Sequence, residues 1–154
     1  MFAILMMLAA ANAAPADIRP LLRDQGFPGP LNGRELITFV GTVHQGVKDY
    51  QVYTFEGVHR AAVVDHGVGG IIVILNGSTY LGQYRMSSPT GCNIRGQRVV
   101  CQTSSPGSVI QFTRQGPPRQ TWLDGEVLQF EFGNWINRAR RRRRAHAADG
   151  VPEG

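Results

Sequence analysis

The chain has 154 residues, 42% of them hydrophobic, with 19 Gly and nine Pro, a composition that suits one compact domain rich in turns. Its formal net charge of +5 is local: residues 138–154 hold six Arg against Asp149 and Glu153, whereas residues 14–137 are close to neutral. Nothing in this near-neutral body argues for a nucleic-acid surface, and nucleic acid is accordingly disfavoured as a partner.

The first segment, MFAILMMLAAANAA, runs apolar from Phe2 to Ala11 and then offers Ala11-Asn12-Ala13, a small-x-small cleavage pattern. The run is too short to span a bilayer. It predicts a signal peptide over residues 1–13 and export to the periplasm or the medium. Its n-region lacks Lys and Arg, which leaves a buried first strand or a mis-set start codon as the competing reading. Residues 14–137 are then expected as a single β domain and 138–154 as an Arg-rich tail.

Asp17–Gln25 has the pattern of a helical turn, which Pro20 limits to a lid or strap. Arg34–Val43 reads as a strand with Ile37, Phe39 and Val43 on one face and Gly41 as a bulge. Glu56-Gly57 is expected to turn between YQVYTF and VHRAAVV. Gly67-Val68-Gly69-Gly70 superficially resembles a phosphate loop, but a strand rather than a helix follows it. It is expected to be a flexible connection. Ile71–Leu75 is apolar on both faces and β-branched, hence a central strand, and Asn76-Gly77 is the strongest hairpin turn.

Arg95-Gly96-Gln97-Arg98 suits a type II′ turn, with Gly at its first central position. Folding about it pairs Ile94 with Val99 and sets Cys92 against Cys101 in a non-hydrogen-bonded pair, with Cα atoms about 4.5 Å apart. In an exported chain this predicts a Cys92–Cys101 disulfide, with Cys92, Ile94, Val99 and Cys101 on one buried face. Val109–Arg114 is a shorter strand between the loops at Pro106-Gly107 and Gly116-Pro117-Pro118. Asp124-Gly125 places Trp122 opposite Val127, and Glu126–Phe132 buries Leu128, Phe130 and Phe132 by alternation. The whole is all-β, an antiparallel meander of about eight to ten short strands closing into a small barrel, with a two-sheet sandwich as second choice. The basic tail is expected to be disordered or helical.

No catalytic residues are expected, and the reading is of a protein that is not an enzyme. Asp65-His66 resembles half of an acid–base pair, but adjacent strand residues face opposite ways and no nucleophile motif accompanies them. His44, His59 and His146 stand in no metal-ligand spacing, so neither metal nor cofactor is expected. Tyr50, Tyr53, Phe55, Tyr80 and Tyr84 are expected to fill the core rather than line a cavity.

Arg138, Arg140, Arg141, Arg142, Arg143 and Arg144 form the one feature that points directly at a partner. Guanidinium pairs bidentately with phosphate, so an anionic lipid or lipopolysaccharide surface is the expected contact, with Trp135 as an interfacial anchor. The functional expectation is an exported, non-enzymatic binding or envelope-associated protein. The alternatives are a small barrel carrying an apolar ligand, or a proteinaceous inhibitor of an extracellular hydrolase.

Overall fold

The computed structural model describes residues 17–60, 65–102, 109–123 and 125–133. The expected leader, the Arg tail and Trp135 lie outside the described residues. One helix, α1 (Arg19–Asp24), precedes nine strands among the described residues. These are β1 (Leu36–Gln45), β2 (Lys48–His59), β3 (His66–Leu75), β4 (Thr79–Arg85), β5 (Asn93–Arg95), β6 (Arg98–Val100), β7 (Val109–Gln111), β8 (Gln120–Leu123) and β9 (Glu126–Phe132). No helix among the described residues is long and apolar enough to cross a membrane.

Six strands form an antiparallel sheet in the order β1-β2-β3-β4-β9-β8, and β5-β6-β7 form a second, small one. The large sheet curls into a half-barrel, so the expected closed barrel is not formed. Strand order explains the difference. After β4 the chain leaves the sheet and returns as β9 beside it, so the meander is not sequential throughout. The excursion supplies strands of three residues each, too short to carry a ladder to both edges of the large sheet. They abut those edges instead, β5 against β1 and β7 against β8. At the second junction the Thr121 hydroxyl donates to the Val109 carbonyl at 3.1 Å.

Two cores share the large sheet as their common wall. The inner one packs Val43, Tyr50, Val52, Ile71, Val73 and Tyr84 against Val99, Cys101, Ile110 and Phe112 of the excursion, with Leu123, Leu128 and Phe130. The outer one gathers Tyr53, Phe55, Ile72, Ile74 and Tyr80 beneath Ile18, Leu22 and Phe27. Ile71–Leu75 therefore faces apolar surroundings on both sides, as its composition predicts. All five expected core aromatics are buried, split between the two cores. Pro20 sits in the first turn of α1, where its missing N–H costs nothing, and the six-residue helix does serve as a strap. Its Leu22 is fully buried, worth about 1.5–3 kcal/mol, and Phe27 meets Phe55 and Tyr80 edge-on at 5.0 and 5.6 Å.

The bulge at Gly41 forms between Phe39 and Gly41, leaving Val40 without a partner on β2. It also separates the side chains assigned to one face: Ile37 packs on the outer core and Val43 in the inner. An extra residue reverses strand parity, which a plain alternation count misses. Glu56-Gly57 is not a turn. β2 continues through it, pairing Glu56 with Gly69 and Gly57 with Val68. Gly57 stands where a Cβ would lie 2.8 Å from the Phe55 ring and 3.0 Å from Pro30, so it serves close packing. Gly67–Gly70 is likewise strand rather than a flexible connection. A Cβ at Gly69 would meet the Met86 carbonyl at 2.8 Å and one at Gly70 the Tyr84 carbonyl at 2.7 Å, so these two glycines admit neighbouring backbone.

Two turns match their sequence signatures. Asn76 and Gly77 take φ of +48° and +70°, as a type I′ turn requires, and the Asn76 Oδ1 also accepts from the Asp49 N–H at 2.9 Å. Gly96 takes φ of +59° at the β5–β6 turn. Trp122 pairs with Val127, and both are exposed. Phe132 is also exposed, at 48%, because it ends β9, although its ring still contacts Phe130 at 5.1 Å.

Candidate binding site

Cys92 and Cys101 are disulfide-bonded, and Ile94 pairs with Val99 in the expected register. The Cα atoms are 3.8 Å apart, closer than the expected value of about 4.5 Å, and both cysteines lie just outside the residues that the ladder pairs. Val99 and Cys101 are buried, whereas Cys92 and Ile94 are only half-buried. The half-buried cysteine marks a wall. Beside it lies a groove of about 350 Å³, lined by Leu36, Thr38, Phe39 and Val40 of β1, Thr54 and Glu56 of β2, and the segment Pro89–Cys92.

Parity places this groove on the half-barrel. Tyr53 and Phe55 belong to the outer core and Val52 to the inner, so Thr54 and Glu56 lie on the inner face. Leu36 and Thr38, their partners on β1, share that face. The groove is thus the mouth of the half-barrel, beyond the point where Tyr50, Tyr84, Phe112 and Phe130 fill the interior. Its far wall is tied down. The Gln102 N–H donates to the Thr90 carbonyl at 3.1 Å, and the disulfide fixes Cys92 next to it. A Cβ at Gly91, where φ is +60°, would lie 2.7 Å from the Gln102 side chain.

Among the described residues the groove holds one charged side chain, Glu56, which is half-buried. Its carboxylate has no ion-pair or hydrogen-bond partner among the described residues. Glu35 shows the contrast. Burial alone would raise its pKa, but its own N–H, the Arg19 guanidinium at 2.7 Å and the Gly33 N–H outweigh that and hold it below the usual glutamate range.

A smaller cleft lies on the outer face under Pro28, as two adjoining spaces of about 80 and 160 Å³. Its charges are already matched, since the Arg85 guanidinium donates to the Glu131 carboxylate at 2.8 Å and the Gln83 amide to the same oxygen at 3.4 Å. His66 is exposed and pairs across the β2–β3 ladder with His59, which is exposed as well. The Asp–His contact that does form is His44 Nδ1 to Asp49 Oδ1 at 2.7 Å, on the exposed β1–β2 hairpin. The sequence offered a cue to it, because residues on either side of a short hairpin turn face one another. No cluster of three or more His, Cys, Asp or Glu stands ready for a metal among the described residues. The groove itself was not anticipated, since it depends on where the excursion between β4 and β9 comes to rest. Comparison with protein-family models, with curated proteins and with solved structures finds no match.

Proposed function

We propose that this chain is an exported, non-enzymatic binding protein that works at an anionic envelope surface. The half-barrel mouth is its ligand site and the Arg-rich tail its tether. The observation that carries the binding half is the groove of about 350 Å³, with a single ionisable lining group and no acid–base partner beside it among the described residues. Such a site can hold a ligand, and beside Glu56 the described lining offers no second acid–base group or nucleophile to work with it. The tethering half is supported by charge alone: Arg138 and Arg140–Arg144 supply six cations within seven residues. Each contributes about 1 kcal/mol near an anionic bilayer. An apolar-ligand carrier would need an enclosed interior, and here aromatic side chains occupy that space.

The test of the tether is co-sedimentation with phosphatidylglycerol vesicles at low and high salt, using the mature chain and one cut after Asn137. The full chain should bind at low salt and release as the Debye length shrinks, and the cut chain should stay in solution. Equal sedimentation of both would refute the tether. N-terminal sequencing of secreted material checks the leader, since a start at Met1 would show residues 1–13 retained, and finding the chain only inside the cell would refute export.

A further inference from the structure

The large sheet has two edges, and they differ. At β8 the excursion lies against the edge through the Thr121–Val109 hydrogen bond. At β1 the contact is made at Gly41, where a Cβ would lie 2.6 Å from Ile94, so the small sheet abuts the second half of the strand. The first half, Leu36 to Phe39, faces the groove instead.

The direction of its main-chain groups follows from the ladder. The Asn76 N–H donates to the Asp49 carbonyl, so Asp49 faces β3. By alternation along β2, Gln51, Tyr53 and Phe55 face β3 too, while Thr54 and Glu56 face β1. Thr38 and Leu36 bond to them. Ile37 and Phe39 therefore point their N–H and C=O groups away from β2, at the rim of the groove. A strand edge of this kind is a template for another strand. Leu36, 60% exposed, and Phe39 offer apolar surface on either side of it. The same groove holds the half-buried Glu56 carboxylate that nothing in the described chain neutralises.

From these observations, and resting on the binding reading above, we infer that the groove takes an extended peptide. The peptide adds as a strand to the first half of β1, and the side chain it presents to the inner face is a Lys or Arg held by Glu56. An added strand lies about 4.8 Å beyond β1 and about 10 Å from β2, a span that a long basic side chain crosses beside Leu36, the residue opposite Glu56. Four residues, Leu36 to Phe39, give about 13 Å of pairing before Ile94 closes the groove, so the recognised segment is short. The main chain supplies the ladder and Glu56 the selection. A second copy of this chain is the less fitting occupant, because β1 itself (LITFVGTVHQ) carries no Lys or Arg to offer Glu56.

The experiment titrates capped heptapeptides of alternating Thr and Val, with Lys, Arg, norleucine or Glu at the centre, into the isotopically labelled full chain. Lys and Arg peptides should shift the amides of Ile37 and Phe39, and Glu56→Gln should weaken them about ten- to hundredfold. A Lys peptide N-methylated at alternate positions should not bind. If norleucine binds as tightly as Lys at the same amides, the groove remains a ligand site but cation selection is refuted. If the N-methylated peptide binds equally, strand addition is refuted. If no peptide moves any groove amide, this inference is refuted while the ligand-site reading is left to ligands of other chemistry. Sedimentation showing a dimer that Phe39→Pro dissociates would give the edge to a second copy and overturn the proposal.

Discussion

Reducing the Cys92–Cys101 bond should lower global stability and loosen one wall of the groove, and the two effects can be read separately. The cysteines are nine positions apart and close a loop of about ten residues, for which chain entropy gives about 2.7 kcal/mol at 25 °C. A domain of this size loses roughly 3–5 °C per kcal/mol, so the midpoint of thermal unfolding should fall by about 10 °C. The local effect follows from position: Cys101 is buried in the inner core, whereas Cys92 stands in the groove wall. The Gln102 N–H, bonded to Thr90, should therefore exchange with solvent faster in the reduced protein, while the amides of central β3 change only with global stability. The assay is thermal unfolding by circular dichroism with and without reductant, thiols counted by mass, followed by hydrogen exchange. A midpoint within about 2 °C of the oxidised one, with both thiols free, would refute the entropic argument. Uniform acceleration at Gln102 and in β3 alike would refute the local one.

Three other perturbations test the packing. Glu35→Gln should cost about 1–3 kcal/mol by weakening the bonds to Arg19 and Gly33. Because the folded protein holds this pKa below its unfolded value, the carboxylate's contribution is present above about pH 4.3 and is lost as the pH falls through the lower folded value. The variant's acid-unfolding curve should lack that component, and parallel curves would contradict the assignment. Burial pushes the Tyr80 and Tyr84 phenols far above their ordinary range, so they stabilise the fold below about pH 10 and oppose it as the pH rises. Their tyrosinate absorbance should appear together with loss of the β signal, and ionisation in an intact fold would show that the phenols reach water. Gly82→Ala should lose about 2–4 kcal/mol, measured as a drop in urea midpoint, because φ is +154° and the new Cβ would lie 2.1 Å from the Glu131 carbonyl.

What could be read from the sequence was local and periodic. Turn residues with a required φ, Asn76-Gly77 and Gly96, give their hairpins away, and from Gly96 the cysteine register follows by counting. The central placement of Ile71–Leu75 follows from its having no polar face. What was hidden depends on contacts distant in sequence. Gly57, Gly69 and Gly70 resemble punctuation, because their role depends on Pro30, Met86 and Tyr84 approaching from elsewhere. The pairing of β4 with β9, and with it the half-barrel, carries no local mark. Glu56 looks like a turn residue beside Gly57, and only the fold turns it inward to a groove.

The excursion between β4 and β9 also sets an order of assembly. β1 to β4 pair through successive hairpins, so that sheet can grow from contacts between near neighbours in the chain. Joining β9 to β4 instead requires closing a loop of about forty residues, which costs roughly 2 kcal/mol more entropy than closing a hairpin. The four-strand portion should thus form before β8 and β9 dock, and the inner core is completed only at that docking. Until then Ile71 and Val73 lie open on one side while α1 can already cover the other. During synthesis the chain carries that uncovered face until the residues of β9 have emerged.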